Sequence, residues 1–508
     1  MVNDVSSNAN ENLLPSLPQG WIWAKLVDTC IFLPTGVEKF DGTTEYYSTG
    51  SIQNQISIPE GLFSFYSRPS RANKLSAEGD VLQARMKGTN KAIIIKKNLD
   101  KKLFSTGFIQ LRPYNCCKEM SSFFYYFVKS PLFLSQRDAF ATGTTQTALT
   151  DDGANKIFIS FPSFPEQSRI VAKIEEIFAQ LDAGVALLKK IRGQVRRYRQ
   201  VVLKAAFEGK LTQGWRDQHE RETESASILL RRIKNSMTIR PHHKLLDLPP
   251  LDISHLQKIP KSWLWTYVQD VGDVQLGRQR APQHHYGSHM HPYLRVANVY
   301  EDYIDTNDVK EMNFTPEEFV IYHLGYGDIL LNEGQSKELV GRPAMFKNEV
   351  INACFQNTLV RFRAFKGLNP KYALFLFKLY FHTGEFLKIA RQSTNIAHLG
   401  TERFAAMPFP LPSEKEQIAI LEEIERHFSQ IDHLENTIDT SLQQAESLRQ
   451  SILKRAFEGR LVPQDPNDEP ASILLDRIKV EKARHFAEGK KGKKVQSPSP
   501  KRKIKHGN

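Results

Sequence analysis

The chain has 508 residues, and its apolar (40%) and charged (25%) fractions are those of a soluble globular protein of two to four domains. No apolar run approaches the length of a membrane span and the polar start, MVNDVSSNANENLLPS, has no signal-peptide core, which places the chain in the cytoplasm. The net charge of +13 is weaker evidence for a nucleic-acid partner than it looks, because eight of the lysines and arginines lie in residues 490–508, leaving +5 for the body.

In chain order, a disordered N-terminus (1–13) precedes a first globular segment (14–164), a long helix (165–212) and a linker with a short helix (213–257). A second globular segment (258–412), a second long helix (413–462), a short helix (463–487) and a basic disordered tail (488–508) follow. The first segment opens with LPQGWIWAKL, whose Trp21 and Trp23 return 242 residues later as Trp263 and Trp265 in IPKSWLWTYV. EGDVL at 78–82 returns as YGDIL at 326–330, and FSTGFIQLR at 104–112 as FQNTLVRFR at 355–363. TGTTQTAL at 142–149 returns as QSTNIAHL at 392–399, and ASILLRRIK at 226–234 as ASILLDRIK at 471–479. Strand-like runs at 92–95, 157–161 and 359–362, with one convincing helix per segment near 121–128 and 370–381, make each segment a mixed α/β (α+β) domain. Outside the shared motifs the two segments have little in common, as expected if each reads something different.

The long helices are the strongest feature. Residues 166–209 and 416–459 align at a constant offset of 250 without insertion, both beginning in Glu-Gln and ending in AFEG. Alternating steps of four and three give Ile170, Ile174, Ile177, Leu181, Leu188, Ile191 and Val195 in the first, interrupted at Gly184. The same register in the second gives Ile420, Ile424, Ile431, Leu434, Ile438, Leu448 and Ile452. A 3.5-residue period held this long predicts coiled-coil packing of two helices about 65 Å long on each other.

Catalytic signatures are missing. There is no GxxxxGK[ST] loop and no GxGxxG after a strand. Asn369-Pro370-Lys371-Tyr372 departs from an amino-methyltransferase motif and reads as a capped helix start. His284, His285, His289 and His291 lack partner ligands at fixed spacing, and Cys30, Cys116, Cys117 and Cys354 show no CxxC pair, so no metal site is expected. The remaining candidates are side chains suited to base edges and phosphates. In the first segment these are Arg68, Arg71, Lys74, Arg85, Lys87, Thr89, Asn90 and Lys91, with Thr144 and Gln146 of the repeated motif. In the second they are Arg278, Arg280, Arg295, Asn298, Asn332, Gln335, Ser336, Lys337 and Arg342, with Thr394 and Asn395. The basic face of the first long helix (Lys189, Lys190, Arg192, Arg196, Arg197, Arg199) is either a contact surface or a hydrated flank.

The duplicated plan closely resembles the specificity subunit of type I restriction-modification systems, on LPQGWIWAKL, TGTTQTAL, FPEQSRIVAKIEEIF and VLKAAFEGKLT in one half and IPKSWLWTYV, SEKEQIAILEEIE and ILKRAFEGRLVPQDPNDEPASILLDRIK in the other. The lysine-rich tail is like that of the type IA group. The resemblance implies two target-recognition domains, each reading half of a split double-stranded DNA target, separated by antiparallel spacer helices in an internal pseudo-two-fold repeat. It implies no cofactor in this chain. The partners it implies are two modification subunits, which use S-adenosylmethionine to methylate adenine N6, and two restriction subunits driven by ATP and Mg. The family's Arg-x-x-Asn-aliphatic element is present as Arg295-Val296-Ala297-Asn298-Val299, but the aligned Ser48-Thr49-Gly50-Ser51-Ile52 lacks both polar residues, so DNA contacts there are in doubt. The alternative reading is a coiled-coil scaffold whose globular ends bind protein; a nuclease or methyltransferase is disfavoured by the missing motifs.

Overall fold

The computed structural model describes residues 15–53, 56–114, 118–143, 147–236, 245–392 and 396–494, with side chains as far as 484. The N-terminal 1–13, Cys116, Cys117, Thr144, Gln146, Thr394, Asn395 and the tail beyond 494 lie outside the described residues. The chain divides into two compact units, Met1–Leu188 with Thr440–Asn508, and Lys189–Asp439. Each unit contains one globular domain, the first half of the long helix that follows it, and the last half of the other long helix.

In unit one, Ile22–Lys25 pairs antiparallel with Phe158–Phe161, a two-stranded ribbon that closes the domain and leads into the helix. The central sheet runs Cys30–Phe32, Phe108–Pro113, Val81–Ala84, Ala92–Ile94, all antiparallel. A second sheet runs Gly61–Phe63, Thr44–Tyr47, Leu103–Ser105, Ala72–Leu75 and contains one parallel pair. Helix Lys118–Lys129 puts Phe123, Phe124 and Phe127 into the core. Phe123 and Phe127 each stand 5.3 Å from the ring of Phe457, at the end of the second long helix.

Unit two repeats the scheme. Leu264–Tyr267 pairs with Pro408–Leu411, and the central antiparallel sheet runs Gly272–Leu276, Leu359–Ala364, Ile329–Asn332, Pro343–Met345. Lys310–Asn313, Met290–Leu294 and Cys354–Phe355 form the second sheet. Helix Pro370–Thr383 is capped by Asn369, whose Oδ1 accepts from Lys371 N at 3.0 Å, and its Tyr372 ring lies 5.1 Å from Phe207. Two domains that share little sequence therefore share one framework, because the repeated motifs fall on the strands and helix ends that build it.

The long helices are Phe164–Phe207 and Glu414–Phe457, 44 residues each. Ser163 and Ser413 cap them, their Oγ atoms accepting from the backbone of Glu166 (3.3 Å) and Glu416 (3.2 Å). Both end at a glycine with positive φ, Gly209 (71°) and Gly459 (69°), where a Cβ would stand 2.3 Å from Cγ of Pro260 and Pro18 respectively. Inside unit two the helix halves run antiparallel: Arg192 meets Asp439 at 3.2 Å, Arg196 reaches Glu435 at 3.9 Å, and Arg199 holds Asp432 and Glu435. Unit one repeats this with Asp182 on Arg449. The guanidinium of Arg449 lies 5.0 Å over Phe178, and that of Arg199 lies 5.0 Å over Phe428. Arg192, Arg196 and Arg199 are thus ion-paired across the helices.

The seam is narrower than the heptad suggests. Ile170, Ile174, Val195, Ile420, Ile424, Ile431, Ile438 and Ile452 are buried, and Ile177, Leu181, Leu188 and Ile191 are half-buried. Leu434 and Leu448, expected in the seam, are 50% and 49% exposed. They share a heptad column with His427 and Ser441, and a two-helix contact that turns the all-apolar column inward carries this mixed column to the flank. The C-terminal helix is Ala471–Lys494, so Lys490, Lys491, Lys493 and Lys494, assigned above to a disordered tail, are helical; no proline interrupts the segment before Pro498.

Candidate nucleic-acid interface

In both units the loop that follows the third strand of the central sheet is joined to the repeated polar motif. In unit one, Leu149 N donates to Arg85 O (2.9 Å), Met86 bridges Ala148, and Lys87 N donates to Thr147 O (3.0 Å). This lays the 86–91 loop beside the hairpin Ala141–Thr142/Ala148–Leu149. In unit two, Gly334–Gln335 pairs with Ala397–His398, which pairs in turn with Arg391–Gln392. The loops after GDVL and GDIL are thus brought beside the described parts of TGTTQTAL and QSTNIAHL, from which they are far apart in sequence.

The surfaces carry only part of the expected set. Lys87 and Asn90 are exposed, and Thr89 and Lys91 half-buried, with Lys91 Nζ donating to Thr49 O at 3.0 Å. Lys337 is exposed, with Gln335 and Ser336 half-buried beside it. Arg71 and Arg280 are exposed, Arg280 donating to His285 at 3.1 Å. Arg68 is half-buried, donating to Ala72 O at 3.1 Å with its guanidinium 4.0 Å over Phe65.

Other expected readers are structural. Lys74 is buried, its Nζ donates to Leu33 O at 2.8 Å, and burial together with nearby Arg85 pushes its pKa down to about 8. Arg85 donates to Phe108 O and Leu149 O and pairs with Asp151 at 2.6 Å, tying loop to hairpin. Arg278 is buried against Glu318 at 2.7 Å, and Arg342 donates to Val299 O at 2.6 Å with its guanidinium over Tyr300. Asn332 is fully buried and donates to Leu339 O at 3.3 Å. A buried donor committed to its own chain has no route to a base edge.

The Arg-x-x-Asn element is a turn. Asn298 is 2% exposed; its Oδ1 accepts from Arg295 N (3.1 Å) and its Nδ2 donates to Asp305 O (2.9 Å), while Arg295 pairs with Asp308. The departure in unit one keeps the same geometry: Ser51 Oγ accepts from Ser48 N at 3.0 Å, and Ile58 N donates to Ser51 O just as Asp305 N donates to Asn298 O. A serine hydroxyl replaces the amide as the cap. Sequence reasoning missed Arg391, Gln392 and His398, all exposed on the unit-two hairpin, with His398 3.0 Å from Glu333. Arg391 immediately precedes the repeated motif, which was the available signal. Among the described residues no three His, Cys, Asp or Glu gather as a metal set, and no helix is long and apolar enough to cross a membrane.

Each unit thus carries a polar loop-and-hairpin surface, on a helical frame that is duplicated along the chain. The family of the type I restriction modification DNA specificity domain matches residues 28–197 and 260–444, and the chain belongs to it. The chain is 25% identical over 510 residues to the EcoKI type I restriction enzyme specificity subunit of Escherichia coli K12, covering 95% of this chain and 99% of that one. It is also 25% identical over 495 residues to the StySPI specificity subunit of Salmonella potsdam, covering 92% and 96%. A solved structure described as the structural basis underlying complex assembly and conformational transition of the type I R-M system shares the fold at TM-score 0.56 and 20% identity, covering 88% of this chain and all of that one. The protein is thus a specificity subunit of the type I restriction-modification kind, a non-catalytic component of a system whose catalysis lies in other subunits.

Proposed function

We propose that this chain reads a bipartite, asymmetric double-stranded DNA target in the cytoplasm, one half through each unit's loop and hairpin, while the long helices set the spacing and dock two modification and two restriction subunits. S-adenosylmethionine, ATP and Mg belong to those partners. What supports the reading is that one scaffold, repeated in both units, presents different side chains at the same place: Lys87, Thr89 and Asn90 in one, Gln335, Lys337, Arg391 and Gln392 in the other. A shared frame with unlike reading residues suits two unlike half-sites about one or more DNA turns apart. The test is to exchange residues 258–412 for the corresponding segment of a relative and map adenine methylation in a host expressing the whole complex. One half-site should change while the other half and the spacer stay as they were; a change in both halves would show that the domains read DNA jointly.

A further inference from the structure

Beneath each candidate reading loop sits a buried side chain whose donor reaches up to a loop carbonyl. In unit one this is Arg137, 1% exposed on the helix Pro131–Ala139, which donates to Thr89 O. Its Nη2 pairs with Asp138 Oδ1 at 2.7 Å, and that carboxylate oxygen also accepts from Gly88 N at 3.4 Å. Gln83, fully buried on the preceding strand, offers Thr89 O a second donor at 3.4 Å. The loop is therefore held from below by Arg137, Asp138 and Gln83 and from the side by the hairpin, and Lys87 and Asn90 are left pointing to solvent on a fixed backbone.

Unit two reaches the same result with different chemistry. Asn332, fully buried, donates Nδ2 to Leu339 O at 3.3 Å, and its backbone carbonyl accepts from Gly341 N at 2.8 Å. Within that closure, Leu339 N and Val340 N both donate to Ser336 O at 3.0 Å. The amide thus adds a buried side-chain bond to the backbone bonds that close the turn carrying Gln335, Ser336 and Lys337. A guanidinium from a helix in one unit and an amide from the strand in the other each hold a loop carbonyl from a buried position.

We infer that Arg137 and Asn332 are positioning residues for sequence recognition: neither touches DNA, and each fixes the loop through which its own unit reads a half-site. The inference rests on the function proposed above. Base readout depends on side-chain placement within a fraction of an ångström, so a loop released from its buried donor should keep its charge and lose its discrimination. A residue needed only for folding would instead weaken binding to all sequences or remove the protein.

The experiment uses the full-length chain co-expressed with its modification subunits. The wild-type complex first defines the target by genome-wide mapping of adenine methylation, and duplexes with either half scrambled then serve as binding probes. Arg137→Met should lose discrimination about tenfold at one half-site while the other half is read within about twofold of wild type. Asn332→Leu should show the mirror pattern at the opposite half. Affinity for a fully scrambled duplex should be unchanged in both, and Arg137→Lys, which keeps a donor, should restore most of the loss. Damage to both halves by one variant, damage to the same half by both, or no change in either overturns the inference. A wild-type complex that methylates without a bipartite preference overturns the underlying reading instead, and does so before any variant is made.

Discussion

The two units anchor the start of the same helix with the same glutamate and treat its charge differently. Glu416, 2% exposed, accepts from Trp263 Nε1 (2.8 Å), Thr212 Oγ1 (2.8 Å) and the guanidinium of Arg216 (2.6 Å). Glu166, 4% exposed, accepts from Trp21 Nε1 (2.9 Å) and the amide of Gln464 (3.2 Å), and Arg169 turns instead to Asp468 at 2.6 Å. Burial raises the Glu166 carboxyl above its ordinary range, with only neutral hydrogen bonds in direct contact to oppose the shift. Duplication has thus preserved the hydrogen-bond geometry at the helix start while the electrostatics drifted. What the two units share is an acceptor for the tryptophan N–H; among the described residues, a guanidinium in direct contact with the carboxylate stands only at Glu416.

Glu416→Ala strands Arg216 and the Trp263 N–H and should cost about 3–5 kcal/mol, read as local opening free energy by hydrogen exchange in unit two. Glu166→Ala should cost about 1–3 kcal/mol in unit one, since no charge is abandoned. Equal losses would show that the cation at Glu416 contributes nothing. The pH dependence separates them further. A carboxyl raised in the folded state gives its stabilisation fully below the unfolded value of 4.5 and loses it as pH rises through the folded value, so Glu166→Gln should flatten unit one's stability profile in that window.

The seam offers a comparison of similar size. Ile438→Ala and Ile452→Ala remove buried methylenes and should each cost about 2–4 kcal/mol by denaturant unfolding. Leu434→Ala and Leu448→Ala, in the column that faces outward, should cost under about 1 kcal/mol. Comparable losses at all four positions would restore the symmetric two-column seam that the heptad pattern suggests.

The smallest contrast concerns two buried lysines. Lys74 and Lys378 are both pushed down to about 8, chiefly by burial, but Lys378 pairs with Asp302 while Lys74 meets only a carbonyl oxygen directly. A lysine depressed from 10.5 destabilises the fold while it is charged, and stability should rise with pH between about 8 and 10.5 as the folded form loses its proton first. Lys74→Met should therefore stabilise unit one by about 1–3 kcal/mol at pH 7, with the gain fading over that pH range. Lys378→Met should gain less, because Asp302 loses its partner. Thermal unfolding of both variants at pH 7 and 10 is the measurement, and identical gains would remove the distinction.

The sequence by itself determined the frame. A constant offset of 250, a heptad carried through both copies, and Trp, Glu-Gln and AFEG markers at matched places specify two helices of equal length and where each begins, because capping and periodicity are local and repeat with the residues that cause them; the helices end at Phe207 and Phe457, short of the 212 and 462 expected above. The repeated GDVL, GDIL and polar hairpin motifs likewise marked the neighbourhood of the candidate site. Only the tertiary structure decided which residues there are available. Asn298 and Asn332 look like base readers in sequence and are consumed by a turn and a loop carbonyl; Arg85 is tied to Leu149, and Lys74 lies inside the domain. Arg137, which no motif marked, holds the loop from 48 residues away. Whether a polar side chain reads a ligand or satisfies its own chain depends on burial and on partners that the fold brings together, and neither is encoded in the residue's type or its neighbours along the chain.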